Sequence, residues 1–201
     1  MIRCPIYCCD KLLGCNACKR LNKLVPANKE LQVVTISDPQ WVEYLHKDNI
    51  GLIIDHDVPR NVVWELSCNS KNFLQMNCCL VDTDLQWVVN LVHLAEVCGI
   101  KCSVVMYPIL PSIVTTAKVI RILDAIKNCE NCTVALNFGI LQLSSSECKE
   151  GQLRLKDKSL PLKNLNKTNR FLWKCRESYA EEFYQIVNFY TDSTKLNLIV
   201  I

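Results

Sequence analysis

Between Asp82 and Phe138 the sequence runs twice through one cycle: an amphipathic stretch, a polar or glycine stop, then a short run that is apolar at nearly every position. In the first cycle Leu85, Val88, Val89, Val92 and Ala95 recur at helical spacing behind the capping sequence Asp82-Thr83-Asp84, and the pattern stops at Gly99. Lys101–Tyr107 follows, so continuously apolar that both of its faces must be covered. In the second cycle Val119, Ile120, Leu123 and Ile126 mark a helix over 115–128, and Cys132–Phe138 is the strand. Strands of this kind separated by helices belong in a parallel sheet, because neighbouring parallel strands can be joined only by a long crossover.

The same alternation extends in both directions. Upstream, residues 1–7, Leu31–Ser37, Gly51–Asp55, Val62–Cys68 and Phe73–Val81 are strand candidates, with helical patterns at Asn16–Leu24 and at 39–47 behind Asp38-Pro39. Downstream, residues 144–170 turn polar and basic, with a hairpin expected around Gly151 or Lys156–Ser159; a helix over 171–190 and a terminal strand Leu196–Ile201 close the chain. Six to eight strands with short helices predict an α/β fold, mainly a parallel sheet, of the partial (β/α)6-barrel type. At 201 residues the chain is short for an eightfold barrel of about 250. The expected organisation is a core over 1–143 and a basic C-terminal segment over 144–201, whose helix and strand pack on that core.

Composition narrows the function. Half the residues are hydrophobic, which excludes disorder, and no apolar run is long enough to span a membrane. The start MIRCPIYCCDKLLGC has no apolar run of the secretory type, so an intracellular, cytoplasmic protein is expected. Net charge is only +3, but Lys149–Arg176 holds nine Lys or Arg against Glu150 and Asp157. That segment is a solvated face or a contact for an anionic substrate or nucleic acid.

Cysteine is the unusual residue. Fourteen are present, and in a reducing compartment they are thiols or metal ligands rather than disulfides. Cys78, Cys79, Cys98 and Cys102 fall on apolar faces and are expected to fill the core. Cys4, Cys8, Cys9, Cys15 and Cys18 crowd one loop beside Lys11, Lys19 and Arg20, which favour thiolates, so this loop is the candidate metal site. Four of its thiols would suit zinc; three, as in the C-x6-C-x2-C spacing of Cys8, Cys15 and Cys18, would suit an iron–sulfur cluster with one open iron. A further C-x2-C pair, Cys129 and Cys132, precedes a strand whereas Cys15 and Cys18 follow one, so the two pairs should lie at opposite ends of a parallel sheet.

Cys8 followed by Gly14-Cys15-Asn16-Ala17-Cys18 just after a first strand resembles the cluster loop of radical SAM enzymes, more specifically a phage-associated group with a long first spacing, and less closely spore photoproduct lyase and its relatives. Leu91–Leu110, LVHLAEVCGIKCSVVMYPIL, is similar to a late helix–strand unit of those enzymes. The resemblance covers about a quarter of the chain. It implies a partial (β/α)6 barrel, a [4Fe-4S] cluster on Cys8, Cys15 and Cys18, and S-adenosylmethionine on the open iron, cleaved to a 5′-deoxyadenosyl radical that takes a hydrogen from substrate. By position, Thr35–Asp38, including Ser37 and Asp38, stands where the family carries a glycine-rich motif for the SAM amino group, and no Gly-Gly-Glu is present there. Ser67 and Asn69 would meet the ribose or carboxylate.

Other constellations are plainer. Asp55-His56-Asp57 is expected to be a polar turn before Pro59, with metal ligation or general-base work as its alternative. His46 and His93 are expected to be structural or exposed, and Trp41, Trp64, Trp87 and Trp173 to anchor the core. Serine-hydrolase, P-loop and dinucleotide motifs are absent from the sequence. Catalytic side chains are not identified. The rival to a radical SAM-like enzyme is a non-catalytic, zinc-stabilised α/β protein whose basic segment binds a protein or nucleic acid; a third alternative has no metal and uses its cysteines as core filler. Cys15→Ala and Cys18→Ala are each expected to abolish metal retention while Cys98→Ala leaves it intact, and equal metal content in all three variants would remove the loop as the site.

Overall fold

In the computed structural model, residues 32–36, 40–80, 84–107, 109, 114–138, 141–142, 162–164, 172–175, 177–192, 194 and 196–200 are described. Six parallel strands form the main sheet: β1 (Gln32–Thr35), β2 (Ile50–Ile54), β3 (Phe73–Cys79), β4 (Lys101–Tyr107), β5 (Cys132–Leu136) and β9 (Asn197–Val200). They lie side by side in chain order. Between them run α1 (Trp41–Tyr44), α2 (Arg60–Ser67), α3 (Gln86–Val97), α4 (Thr116–Ile126) and α5 (Glu177–Thr191). The excursion between β5 and α5 carries a separate antiparallel sheet in the order β6 (Leu141–Gln142), β8 (Leu172–Cys175), β7 (Leu162–Asn164).

Strand order decides where the helices go. Crossovers between parallel strands are right-handed, so a sheet that always steps in one direction receives all its helices on one face. The core agrees: Leu52, Ile54, Leu74, Met76, Cys78, Val104, Met106, Val134 and Leu136 share one buried cluster with the inward residues of α2 to α5. The sheet is thus an open, singly wound (β/α) array of the partial-barrel type, as the sequence predicts.

Local chemistry places each helix. On α3, Val88, Val89, Leu91, Val92 and Ala95 are buried, and Asp84 Oδ1 accepts from the Gln86 N–H at 3.0 Å near its start. Its end is a Schellman turn: Gly99 N–H donates to Glu96 O, Ile100 N–H donates to Ala95 O, and Gly99 sits at φ +67°. Thr115 caps α4 by accepting from Lys118 N–H, and Val119, Ile122, Leu123 and Ile126 form its buried stripe. Phe183 of α5 meets Phe138 edge-on at 5.7 Å, and Tyr190 donates to Asp124 Oδ1 on α4 at 2.7 Å, fixing α5 beside α4.

Two expectations change. Val62–Cys68 is a helix rather than a strand: its β-branched residues suggest extension, but the parallel pairing of β2 with β3 demands a crossover, and burial of Val62, Val63 and Leu66 is helical in period. The segment expected as one helix over 171–190 begins with β8 and enters α5 only at Glu177. The terminal strand Leu196–Ile201 is realised as β9, the sixth strand of the main sheet. The cycles at 84–98, 101–107, 115–128 and 132–138 match α3, β4, α4 and β5 closely. Trp41 and Trp87 pack against the core, whereas Trp64 is 55 % exposed on α2 and anchors nothing.

Replacing Gly99 tests the Schellman turn. A Cβ there meets nothing within 4 Å, so the cost is conformational alone. Gly99→Ala should lower unfolding free energy by about 1 kcal/mol in urea denaturation, and Gly99→Asn by less, because Asn tolerates the left-handed region.

Candidate functional site

Successive strand residues point to opposite faces, and registered partners on parallel strands point the same way. The face away from the core cluster can therefore be read across the sheet. One continuous row crosses all six strands: Thr35, Ile53, Gln75, Ser103, Thr133 and Asn197. Five of the six are polar and none is charged. Towards the strands' C-terminal ends the next row is Asn77, Val105, Ala135 and Ile199, and beyond it stands Tyr107.

The middle of this face is dry. Gln75 is 0 % exposed and Ser103 1 %, with Asn77, Val105 and Ala135 also buried. Gln75 Nε2 donates to Asn77 Oδ1 at 3.0 Å, which turns Gln75 Oε1 the other way. That oxygen and Ser103 Oγ have no hydrogen-bond partner. A buried polar group left without a partner costs about 1–3 kcal/mol. The C-terminal ends of parallel strands wound in this way are where barrel folds keep their ligands.

The N-terminal edge of the sheet is built differently. Asn72 is buried and satisfied: its Oδ1 accepts from Ile50 N–H at 2.8 Å and its Nδ2 donates to Leu66 O at 3.0 Å, tying β2, α2 and β3 together. Ser67 and Asn69 belong to this edge. Ser67 Oγ donates to Trp64 O in the last turn of α2, while Asn69 donates to Asp48 and accepts from Lys71 N–H. Ser67 is the last residue of α2 and Asn69 lies in the turn after it, so both stand at a helix end rather than a strand end. Ser37 and Asp38, and the metal-site cysteines Cys4, Cys8, Cys9, Cys15 and Cys18, lie outside the described residues.

At the same N-terminal edge Cys102 and Cys132 are registered partners on β4 and β5, facing the helices, with Cys129 in the loop before β5. Cys129 Sγ is 3.6 Å from His93 Nδ1, and Glu96 Oε2 accepts from Asn131 N–H at 3.0 Å. A hydrogen bond with Cys102, together with burial, pushes the Cys132 thiol well up; burial, then the Glu96 carboxylate, raises Cys129. These thiols stay protonated at neutral pH, unlike the thiolate of an activated nucleophile. Among the described residues, three or more metal-ligating side chains do not come together anywhere. Cys78 and Cys102 are core as expected, and Cys98 is half-buried.

Asp55-His56-Asp57 forms the turn into α2, with His56 Nδ1 2.7 Å from Asp55 Oδ1. His46 and His93 are exposed. A groove of about 500 Å³ lies between α2 and α3, lined by Asp57, Arg60, Asn90 and His93 among others, on the helix layer. Of the basic stretch Lys149–Arg176, only 162–164 and 172–175 are described. Among the described residues, no helix is long and apolar enough to cross a membrane.

Gln75, Asn77, Ser103 and Thr133 are absent from the sequence-based candidates. Their signal is a period of two: FLQMNCC and KCSVVMY carry polar residues at alternate positions inside runs that otherwise read as apolar, and CTVAL holds one, Thr133. The chain matches no protein family, no curated protein and no solved structure.

The raised thiols set a pH dependence. Cys129 and Cys132 ionise later in the folded chain than in the unfolded one, so the unfolded state sheds protons first and stability is lost as pH rises past the ordinary thiol value of about 9. Thermal melts from pH 7 to 10.5 should show a shallower alkaline decline for Cys132→Val than for the parent chain, and parallel declines would contradict this placement of the thiols.

Proposed function

We propose that this chain is a radical SAM-like iron–sulfur protein that cleaves S-adenosylmethionine to begin radical chemistry on a further substrate. The observation that carries this is the one-directional winding of the sheet, which gathers the described crossover helices on one face and leaves Gln75, Asn77, Ser103 and Thr133 on the other. The sequence resemblance of the Cys8, Cys15 and Cys18 loop adds the cluster. Three thiolates at C-x6-C-x2-C spacing suit a [4Fe-4S] cluster with one iron left for a small molecule. When bound, the cluster supplies the electron that breaks the sulfonium bond.

The polar atoms without partners fit a ligand of this kind. Gln75 Oε1 and Ser103 Oγ offer an acceptor and a hydroxyl to a neutral polar group such as an adenine edge or a ribose hydroxyl. Val105 and Ala135 keep water from the same face, which protects a reactive radical. Ser37 and Asp38 follow β1 in the chain and are the sequence's candidates for the amino group, in the position of the family's glycine-rich motif. Lys149–Arg176 is suited to an anionic substrate or a nucleic acid.

The test is anaerobic purification followed by measurement of iron, acid-labile sulfide and zinc per chain, with the visible spectrum. About four iron and four sulfide with a broad brown band are expected, together with release of 5′-deoxyadenosine from S-adenosylmethionine under a strong reductant. Stoichiometric zinc without colour would replace this proposal by a zinc-stabilised interaction protein.

A further inference from the structure

The groove between α2 and α3 has an open volume of about 500 Å³, which falls within the usual range of small-molecule sites. It lies on the helix layer, on the opposite side of the sheet from the proposed S-adenosylmethionine face. We infer that it binds a free α-amino acid with an apolar side chain. Its shape, its apolar lining and its two charges carry the inference.

The groove is apolar at its base and along one rim. Val58 and Leu91 are 6 % and 2 % exposed at the base, and Leu94 is half-buried beside them. Val97, at the end of α3, lines the groove while 84 % exposed, and the hydrophobic core does not use it. An apolar side chain laid along Leu94 and Val97 removes that surface from water.

Asp57 and Arg60 are the two formal charges of the lining, one of each sign. Asp57 lies just before α2 and Arg60 opens it, and neither is paired with the other or with another described group. Nearby charges are engaged elsewhere: Asp55 with His56, Glu65 with Asn61, and Glu96 with the Asn131 N–H. An ammonium and a carboxylate on one carbon can meet Asp57 and Arg60 together. A simple anion brings its charge to Asp57, and a simple cation to Arg60, with the wrong sign. Asn90 supports the carboxylate: its Oδ1 accepts from Gln86 Nε2 at 3.1 Å, which leaves its amide N–H groups to donate. His93, the remaining titratable group of the lining, has its Nδ1 against Cys129. Asp57 and Arg60 are both exposed, so each ionic contact adds modestly and the apolar lining supplies the larger share of the binding.

The test is a titration of the amide chemical shifts of the full, isotope-labelled chain with leucine, glycine, isocaproate and isoamylamine. Leucine should give saturable shifts at Asp57 to Arg60 and along α3 from Asn90 to Val97. Glycine, which lacks the side chain, should give none, and isocaproate and isoamylamine, which each lack one charge, should bind several-fold more weakly. Arg60→Gln and Asp57→Asn change exposed side chains and should each weaken leucine by about threefold, the size of one exposed ionic contact. Val97→Ser should weaken leucine while leaving the melting temperature unchanged. Absence of saturable shifts in the groove, equal affinity for leucine and either singly charged analogue, or unchanged affinity in the folded Arg60→Gln and Asp57→Asn variants would overturn the assignment. The readout requires neither cluster nor iron, so it stands or falls apart from the proposed radical chemistry.

Discussion

The handedness of the parallel crossover governs this molecule. Each of the five connections in the main sheet steps to the next strand in the same direction, and each right-handed crossover therefore delivers its helix to the same face. The helix side becomes one continuous apolar core, from Val34 through Leu74 and Met106 to Leu136. The described helices all pack on that side, and on the other Gln75, Asn77, Ser103 and Thr133 stand among Phe73, Lys101, Val105 and Ala135. A doubly wound sheet would bury both faces under helices and place its crevice where the strand order reverses. The order of these six strands has no reversal.

The two edges of the sheet divide the labour. At the N-terminal edge Asn72 ties three elements together, Asn69 and Ser67 close the turn after α2, and Cys129 and Cys132 pack as protonated thiols near His93 and Glu96. These contacts are structural. Past the middle of the sheet, on the far face, Gln75 and Ser103 keep polar atoms without partners in a dry setting.

Much of the fold was legible because the strongest periodicities coincide with the best packed elements. The α3–β4 and α4–β5 cycles could be placed within two residues, since Gly99, Thr115 and the fully apolar strands leave little choice. α2 reads locally as a strand because Val62 and Val63 favour extension, and only the parallel pairing of β2 with β3 requires a helix there. The site was less legible. The cysteine loop stood out by composition, whereas Gln75 and Ser103 were hidden inside strands whose overall hydrophobicity masks a period of two. Ser67 and Asn69 were singled out for a strand end that is in fact a helix end.

The central claim is that the main sheet is singly wound, with its described helices gathered on the face that carries Leu74, Met106 and Leu136. A crystal structure of the full chain tests it most directly. The account predicts six parallel strands in chain order with α2 to α5 packed against that face. A reversal in the strand order, or any of these helices on the face of Gln75 and Ser103, would contradict it.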